Sequence, residues 1–404
     1  MLLVITFKDV EKAYSNIKDS VKKTPLLECP TLDEITGGHI LLKLENLQRT
    51  GSFKVRGALN KIMHLSEEDK KKGVIASSAG NHAQGVALGA REAGIKATIV
   101  MPENAPISKV EATKSYGARV VQNGTIYDHA YSKAVEIQKE EGLVFLHPFD
   151  DEYVIAGQGT IGIELLDEFK DLDAIFVPVG GGGILSGIAL AAKSIKPSIK
   201  VYGVEAENAA SMKAALKNGG PLALDSAKTI ADGIAVAKVG NLTYEIVSKY
   251  VDDIISVSES EIVSAVLFLL EKSKVVAEGA GATSLAGILS NKIDVKGKNV
   301  CAVISGGNID VNNIEKLVNK GQILDGRRVA MTIYLADSTG EMNRITEIIK
   351  NNGANILYIN QTRYVMDLNA TQQAVNIVLE CRNREHGEHI IQEFQKENLR
   401  VEVR

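Results

Sequence analysis

Two separate features of this chain could act together on one small molecule. Lys54 lies among small residues in Thr50-Gly51-Ser52-Phe53-Lys54-Val55-Arg56-Gly57, and its amine could condense with a carbonyl. Far along the chain, an apolar run ends in Gly180, Gly181, Gly182 and Gly183, whose bare backbone N–H groups could cradle a phosphate. A ligand with both an aldehyde and a phosphate would use both features, and pyridoxal 5′-phosphate, which attaches to a lysine, is the common one.

Each feature has an ordinary explanation when it is taken alone. A lysine in the first turn of a helix is usually a solvated charge, and a glycine run is usually a turn or a nucleotide-phosphate loop. The dinucleotide fingerprint is only partly met, because Ser186 stands where its third glycine belongs and Gly187 comes one place late. Glu205 could be the acidic residue of such a site, so this alternative stays open. No Gly-Lys-Ser/Thr follows the run, which excludes a Walker A loop.

The elements that position these residues alternate between short apolar strands and helices, from about residue 40 to residue 310. Such a pattern predicts parallel sheets that are covered by helices on both faces. The predicted strands are His39–Leu44, Gly73–Ser77, Ala97–Met101, Ala118–Val121, Leu143–Leu146, Ala174–Val179, Lys200–Val204 and Asn299–Ile304. Ligands of these sheets bind at the carboxyl ends of strands, where the loops Ser77–His82, Gly180–Gly183 and Ser305–Asn308 all lie.

Ser305 ends one predicted strand and is followed by two glycines. A serine there is ordinarily a helix N-cap or a turn residue. If a pyridine nitrogen lay beside it, the neutral hydroxyl would leave that nitrogen largely unprotonated and weaken the electron sink. Such a site favours elimination over transamination.

The composition changes near Gly326-Arg327-Arg328, and a different pattern follows. It predicts a strand (329–336), a helix (341–351), a strand (354–362), a turn around Met366-Asp367-Leu368-Asn369, a strand (373–382), a helix (386–397) and a strand (399–403). This βαββαβ order is that of a ferredoxin-like plait.

The composition of the chain sets the broad class. Its 404 residues are 45% hydrophobic and 24% charged, as in a soluble globular protein of two or three domains. The net charge of -4 argues against nucleic acid or an anionic membrane as the main partner, and no apolar run approaches the ~18 residues of a membrane span. Cys29, Cys301 and Cys381 are scattered, which suits a reducing cytoplasm and offers no metal framework.

Six motifs recur in order along the chain: Ser52–Ala58, Ser78–Gly85, His147–Asp151, Ala156–Thr160, Gly180–Ile184 and Ser305–Asn308. Together they resemble the serine/threonine dehydratases (threonine ammonia-lyases), which are fold type II, tryptophan-synthase-β-like pyridoxal-phosphate enzymes. The resemblance covers roughly residues 5–320. It implies an α/β catalytic domain (1–325) with two parallel-sheet subdomains around a cofactor cleft, the smaller one inserted at about 48–149. Residues 326–404 resemble a single ACT domain, a regulatory module that binds small molecules.

The resemblance also implies a cofactor role for each matching residue. Lys54 is implied as the Schiff-base lysine that also removes the α-proton, and Gly180, Gly181, Gly182 and Gly183 as the phosphate loop. Asn81 is implied to bond the 3′-oxygen of the cofactor, and Ser305 to face its pyridine nitrogen. The remaining cofactor contacts implied are Phe53 beside the ring, Gly233 in a bordering loop, and Glu278 near the nitrogen side.

The substrate carboxylate is implied to be held by backbone N–H groups of Ser78, Ala79, Gly80, Asn81 and His82. Serine racemases resemble this loop but carry a second serine where this chain has Ala79. Racemisation needs a proton donor on the face opposite the lysine, and alanine has no proton to give. Those relatives also bind a divalent cation near residues that match Glu205, Ala209 and Ser211. Because Ser211 stands in place of an acidic residue, no metal is expected here.

The implied reaction converts L-threonine to 2-oxobutanoate and ammonia, and L-serine to pyruvate, in isoleucine biosynthesis or threonine catabolism. The ACT-like tail implies an amino-acid effector bound across a dimer, with isoleucine as the best guess, in a cytoplasmic homodimer or homotetramer. The alternatives are a β-replacing synthase, a serine racemase, and a catalytically inactive amino-acid sensor. The run His147–Asp151 resembles dehydratases more than synthases. An intact Lys54, glycine run and Ser305 argue against the inactive sensor.

Overall fold

The computed structural model describes residues 5–363 and 368–404. The chain divides into two compact units, Met1–Asp310 and Val311–Arg404. The domain boundary predicted at 325/326 falls after the first helix of the second unit, and the boundary between functional domains stays a prediction. Two residues of the predicted polar turn, Met366 and Asp367, lie outside the described residues.

The first unit alternates strands and helices, as the sequence pattern predicts. Its strands are β1 (Leu26–Glu28), β2 (His39–Leu44), β3 (Val74–Ser77), β4 (Ala97–Met101), β5 (Arg119–Gln122), β6 (Val144–Phe145), β7 (Ala174–Pro178), β8 (Lys200–Ala206), β9 (Asp253–Val257) and β10 (Asn299–Ile304). Its helices are α1 (Phe7–Ile17), α2 (Pro30–Thr36), α3 (Lys54–Met63), α4 (Glu67–Lys72), α5 (Asn81–Glu92), α6 (Ile107–Ser115), α7 (Tyr127–Glu141), α8 (Glu152–Glu168), α9 (Gly183–Ile195), α10 (Ser211–Asn218), α11 (Asn241–Tyr250), α12 (Glu259–Phe268) and α13 (Gly279–Leu289). Within the described ranges, none of the helices is long and apolar enough to cross a bilayer.

The larger sheet of this unit has the strand order β1-β2-β10-β7-β8-β9. All its pairs are parallel except β1 with β2, which is antiparallel. The central strand β7 is buried along its whole length, as expected for a sheet covered on both faces. The eight predicted strands of this unit are confirmed, whereas β1 and β9 were not predicted.

The smaller sheet has the order β5-β4-β3-β6 and is parallel throughout. It runs from Val74 to Phe145, inside the range predicted for the inserted subdomain. Helix α5 packs against its apolar core through Ala83, Val86 and Ala87. Two parallel sheets in one unit therefore present the carboxyl ends of β3, β7 and β10, after which the candidate loops follow.

The second unit begins with α14 (Val311–Leu324) and continues as the predicted βαββαβ fold. Its elements are β11 (Arg328–Ala336), α15 (Glu341–Asn351), β12 (Asn355–Thr362), β13 (Gln372–Glu380), α16 (Arg384–Lys396) and β14 (Arg400–Val403). The sheet order is β12-β13-β11-β14, and every pair is antiparallel. Ile345 and Ile349 of α15 and Ile390 and Phe394 of α16 pack in its buried core. This confirms the predicted ferredoxin-like plait.

Candidate active site

Lys54 begins α3, and its amine is enclosed by the protein. Its Nζ donates a hydrogen bond to the carbonyl oxygen of Pro148 at 2.9 Å. Burial lowers the pKa of Lys54 to about 8, and the charge of Glu278 opposes this shift. An amine with that pKa is neutral more often than an ordinary lysine, so Lys54 is suited to act as a nucleophile or a base.

The backbone beside Lys54 is tied to the end of β10. The N–H of Phe53 donates to the carbonyl oxygen of Ser305 at 3.1 Å, and Ser52 forms an isolated antiparallel bridge with Gly306. Ser305 is buried, and Phe53 is partly buried against the core of the larger sheet. The structure therefore brings Lys54, Phe53 and Ser305 together.

Asn81 and Glu278 form a polar pair that faces this region. Asn81 Nδ2 donates to Glu278 Oε1 at 2.6 Å, while Asn308 Nδ2 donates to Asn81 Oδ1 at 2.7 Å and to the carbonyl oxygen of Thr50 at 2.7 Å. Burial, helped by the charge of Asp232, raises the pKa of Glu278 to about 7. Glu278 occupies the N-cap position of α13, but its carboxylate is buried and makes no capping hydrogen bond, so it is not a surface residue.

Two glycines lie close against this polar pair. A side chain at Gly306 would collide with the Glu278 carboxylate, and a Cβ at Gly233 would lie 3.5 Å from Glu278 Oε1 and 4.0 Å from Asn81 Nδ2. The structure therefore groups Gly233 with Asn81 and Glu278, in the position expected of a loop that borders a flat ligand.

The glycine run links β7 to α9. Gly182 has a φ of 95°, a left-handed conformation that favours glycine, and α9 begins at the next residue. A side chain at Gly181 would collide with the ring of Phe149. The first N–H groups of a helix have no partner within the helix, and they carry the positive end of its dipole. Backbone N–H groups at such a helix start suit an anion such as a phosphate.

The loop Ser78–His82 joins β3 to the N-terminus of α5. Ser78 Oγ accepts a hydrogen bond from the N–H of Gly80 at 3.2 Å, and there is open space where a side chain at Gly80 would lie. His82 is buried, and its Nε2 lies 2.9 Å from the carbonyl oxygen of Leu146. Burial, followed by the nearby Lys54 charge, lowers the pKa of His82 to about 3, so the ring is neutral near pH 7.

Glu205 supports a different helix. Its carboxylate accepts hydrogen bonds from the N–H groups of Met212 at 2.7 Å and Lys213 at 3.0 Å, at the start of α10. Burial raises the pKa of Glu205 to about 7. Across residues 5–363 and 368–404, no three His, Cys, Asp or Glu side chains gather in a way that could hold a metal ion.

The donor set at the site fits pyridoxal 5′-phosphate. Lys54 offers an amine of lowered pKa for the aldehyde, the start of α9 offers N–H groups for the phosphate, and Ser305 offers a neutral hydroxyl for the ring nitrogen. The loop His147–Asp151 contacts both the lysine and the glycine run, because Pro148 accepts from Lys54 and Phe149 packs against Gly181.

Comparison with known proteins agrees with this chemistry. Residues 17–306 match the family described as pyridoxal-phosphate dependent enzyme. The chain is 50% identical over 387 residues to L-threonine ammonia-lyase of Thermotoga maritima, an alignment that covers 96% of each chain. The chain belongs to the threonine ammonia-lyase family of pyridoxal-phosphate-dependent enzymes.

Solved structures of this family share the fold of the first unit. The processed form of threonine deaminase isoform 2 from Solanum lycopersicum superposes with a TM-score of 0.75 at 38% identity, covering 78% of this chain and 92% of that chain. Maize serine racemase gives a TM-score of 0.75 at 37% identity, covering 79% and 98%. The same fold therefore occurs in a structure named threonine deaminase and in one named serine racemase.

Four residues whose contacts connect the parts of this site were not predicted individually from the sequence: Pro148, Asp150, Thr243 and Asn308. Pro148 acts through its carbonyl oxygen, which no side-chain pattern reveals. Thr243 Oγ1 donates to the carbonyl oxygen of Gly181 at 2.7 Å, across a long sequence separation. Pro148, Asp150 and Asn308 lie inside two of the six motifs, so the motifs were the available signal for these three residues, whereas Thr243 lies in none of them.

Proposed function

We propose that the protein is a pyridoxal-phosphate-dependent threonine ammonia-lyase that converts L-threonine to 2-oxobutanoate and ammonia, and L-serine to pyruvate. The observation that carries this proposal is the partly buried Lys54 amine, with a pKa of about 8, which the loop His147–Asp151 connects to a glycine run at the start of a helix. The relative from Thermotoga maritima is named for the same reaction on L-threonine.

In this proposal Lys54 holds the cofactor covalently, Gly180–Gly183 bind its phosphate, and Ser305 faces its ring nitrogen. Asn81 bonds the 3′-oxygen, and its amide would exchange its present bond with Glu278 for that contact. Phe53 and Gly233 border the ring. When bound, the cofactor supplies the electron sink that makes the α-proton of the amino acid acidic.

Lys54 is the proposed base that removes the α-proton. A folded pKa of about 8 leaves roughly a tenth of the free amine neutral at pH 7, against less than a thousandth for an ordinary lysine. The Pro148 carbonyl, 2.9 Å from Nζ, accepts from the amine and fixes its direction. The same residue therefore attaches the cofactor and moves the proton.

The loop Ser78–His82 is the proposed holder of the substrate carboxylate. Open space at Gly80 admits a ligand to the backbone, and the N-terminus of α5 favours a negative charge. Ala79 lies in this loop and has no proton to donate on the face opposite Lys54. The missing proton donor supports elimination over racemisation. Racemisation is the alternative that the shared fold leaves open.

The test is product identification with the full-length holoenzyme. L-threonine and L-serine are supplied separately, 2-oxobutanoate, pyruvate and ammonia are quantified, and D-serine is measured by chiral chromatography. We expect both oxo acids, one ammonia for each, and no D-serine. D-serine as the main product would favour a racemase. A β-replacing synthase would instead form only traces of oxo acid. It would accumulate a β-substituted amino acid when a thiol is added.

The second unit is the proposed regulatory module, similar to an ACT domain. Its loop Asp337–Gly340 precedes α15 and is exposed, and Arg363 holds the Asp337 carboxylate through two hydrogen bonds of 2.8 and 2.7 Å. The exposed edge strand β12 carries Leu357, Tyr358 and Ile359, which are 41%, 53% and 40% exposed. We propose that two copies pair here and bind an effector amino acid, with isoleucine the first candidate.

Removal of residues 327–404 tests this regulatory role, because it leaves the predicted catalytic domain, residues 1–325, whole. We expect the shortened protein to keep its lyase activity, to lose its response to isoleucine and to form a smaller oligomer. Full-length protein with Tyr358→Glu is the matched variant that disturbs only the exposed edge. Unchanged regulation in the shortened protein would show that the second unit is not the sensor.

The proposed location is the reducing cytoplasm. Cys29, Cys301 and Cys381 are all free and buried. Burial raises the pKa of Cys301 to about 12, so this thiol stays protonated and unreactive.

A further inference from the structure

The loop His147–Asp151 connects the lysine to the glycine run, and the proposed reaction uses only the carbonyl oxygen of its Pro148. Its Pro148 carbonyl accepts from Lys54 Nζ at 2.9 Å. A side chain at Gly181 would collide with the ring of Phe149, and a Cβ at Gly183 would lie 3.0 Å from the Cα and Cβ atoms of Phe149. One five-residue segment thus touches both ends of the proposed cofactor site.

Asp150 anchors this loop to α11. Its Oδ2 accepts from the N–H of Asn241 at 3.0 Å, and its Oδ1 accepts from the N–H groups of Leu242 at 3.0 Å and Thr243 at 3.2 Å. The residue in the N-cap position of α11 is Gly240, which has no side chain to offer. A carboxylate from elsewhere in the chain therefore fills the place of the cap, where the helix dipole favours a negative charge.

The N-terminus of α11 in turn holds the glycine run. Thr243 Oγ1 donates to the carbonyl oxygen of Gly181 at 2.7 Å, and the N–H of Gly240 donates to the same oxygen at 3.4 Å. His147 Nδ1 keeps the loop folded, because it accepts from the N–H of Asp150 at 2.8 Å and of Phe149 at 3.3 Å. A continuous set of contacts therefore leads from Lys54 through the Asp150 carboxylate to Gly181.

We propose that Asp150 is a positioning residue that fixes the distance between the Lys54 amine and the phosphate-binding glycine run. One rigid ligand can then bind to both at the same time. This inference rests on the proposed roles of Lys54 and Gly180–Gly183. Because both oxygens of Asp150 accept N–H bonds, Asp150→Asn would turn an NH₂ group toward one of these donors and lose that bond. Asp150→Ala loses all three.

Asp151 offers a matched control in the next position. Its Oδ1 accepts from the N–H groups of Tyr153 at 2.9 Å and Val154 at 3.1 Å at the start of α8, and Oδ2 pairs with Lys61 at 2.6 Å. It is an aspartate that caps a helix in the same loop, yet none of these bonds leads to the glycine run. A purely structural role for Asp150 predicts equal behaviour of Asp150→Asn and Asp151→Asn.

The experiment compares pyridoxal 5′-phosphate with pyridoxal, which lacks the phosphate. Full-length protein freed of cofactor is titrated with each compound, the visible absorption of the bound compound is followed, and the ratio of the two Kd values measures the benefit of the phosphate. Thermal unfolding is recorded for every variant. We expect Asp150→Asn and Asp150→Ala to shrink this ratio by about tenfold or more, since charge-assisted hydrogen bonds are lost, while Asp151→Asn keeps it.

The outcomes separate the inference from the proposed function. Equal ratios in wild type, Asp150→Asn and Asp151→Asn, with similar losses in melting temperature, would reduce Asp150 to a helix cap and overturn the inference. A wild-type protein that gains nothing from the phosphate, or a Lys54→Ala variant with an unchanged visible band, would instead overturn the proposed site. If Asp150→Ala does not fold, Asp150→Asn alone decides, because it retains a capping oxygen.

Discussion

Replacement of Arg56 by methionine should strongly destabilise the first unit. Arg56 is fully buried two residues after Lys54, and its guanidinium binds Glu45 with two bonds of 2.8 Å and Glu164 with bonds of 2.6 and 2.9 Å. Lys43 completes the cluster 2.8 Å from Glu164. Without Arg56, two buried carboxylates share one ammonium, and removing one partner from a buried ion pair typically costs about 3–5 kcal/mol. We expect a loss of about 4 kcal/mol in the free energy of unfolding.

The assay is urea unfolding followed by far-UV circular dichroism, because the chain has no tryptophan to report by fluorescence. The control is Arg119→Met, which removes an exposed pair with Glu141 at 2.9 Å and should cost less than about 1 kcal/mol. If Arg56→Met loses no more than about 1 kcal/mol of unfolding free energy beyond that control, the reasoning is refuted, since the buried charges would then be compensated in some other way.

The unfolding free energy that Arg56→Met loses should depend on pH. Burial alone would raise the pKa of Glu45, but the adjacent Arg56 guanidinium outweighs it and holds the pKa below its usual 4.5. A carboxyl with a lowered folded pKa stabilises the protein above its unfolded pKa, and this stabilisation is lost as pH falls through the folded value. The loss of unfolding free energy in Arg56→Met should therefore be largest near pH 7 and should shrink below pH 4.5. A loss that grows on acidification would contradict this prediction.

Three further predictions concern the site. Ala79→Ser should gain measurable serine racemisation while dehydration persists, because its hydroxyl could return a proton opposite Lys54; D-serine absent from a folded, dehydrating variant would place Ala79 elsewhere. Ser305→Asp should slow dehydration and add a long-wavelength band, since a carboxylate favours a protonated ring nitrogen; an unchanged rate and spectrum would mean that Ser305 does not face the ring. Cofactor uptake by cofactor-free protein should rise with pH through about 8, the pKa of Lys54; a midpoint near 10.5 would show an ordinary lysine.

The periodicity of the sequence predicted most of the fold, and the exceptions have physical reasons. Strand β1 has only three residues at a sheet edge, too few to show a period, and it pairs antiparallel with β2. Strand β9 opens with Asp253 and has exposed or half-buried positions, so it lacks the continuous apolar run of a central strand. The tail was easier to predict because its antiparallel strands and amphipathic helices keep clear periods, as in β11 and α15.

At the site, the sequence indicated the groups that carry chemistry but not the contacts that hold them. Lys54, the glycine run and Ser305 were indicated by the six motifs taken together, because each of these features has an ordinary explanation when it is taken alone. The bond from Lys54 to the Pro148 carbonyl and the bonds from Asp150 to α11 depend on tertiary structure. No local pattern marks a backbone acceptor, or an aspartate that caps a helix far along the chain.

The central claim is that Lys54 is the residue that holds the cofactor. The most direct test is to reduce the holoenzyme with sodium borohydride, which makes the lysine–cofactor linkage permanent, and then to map the modified peptide by mass spectrometry. The account predicts a phosphopyridoxyl group on Lys54 alone, in the peptide that contains Ser52-Phe53-Lys54-Val55-Arg56, and none in Lys54→Ala. A label on another lysine, such as Lys109, whose charge also acts on Glu278, with Lys54 unmodified, would contradict it.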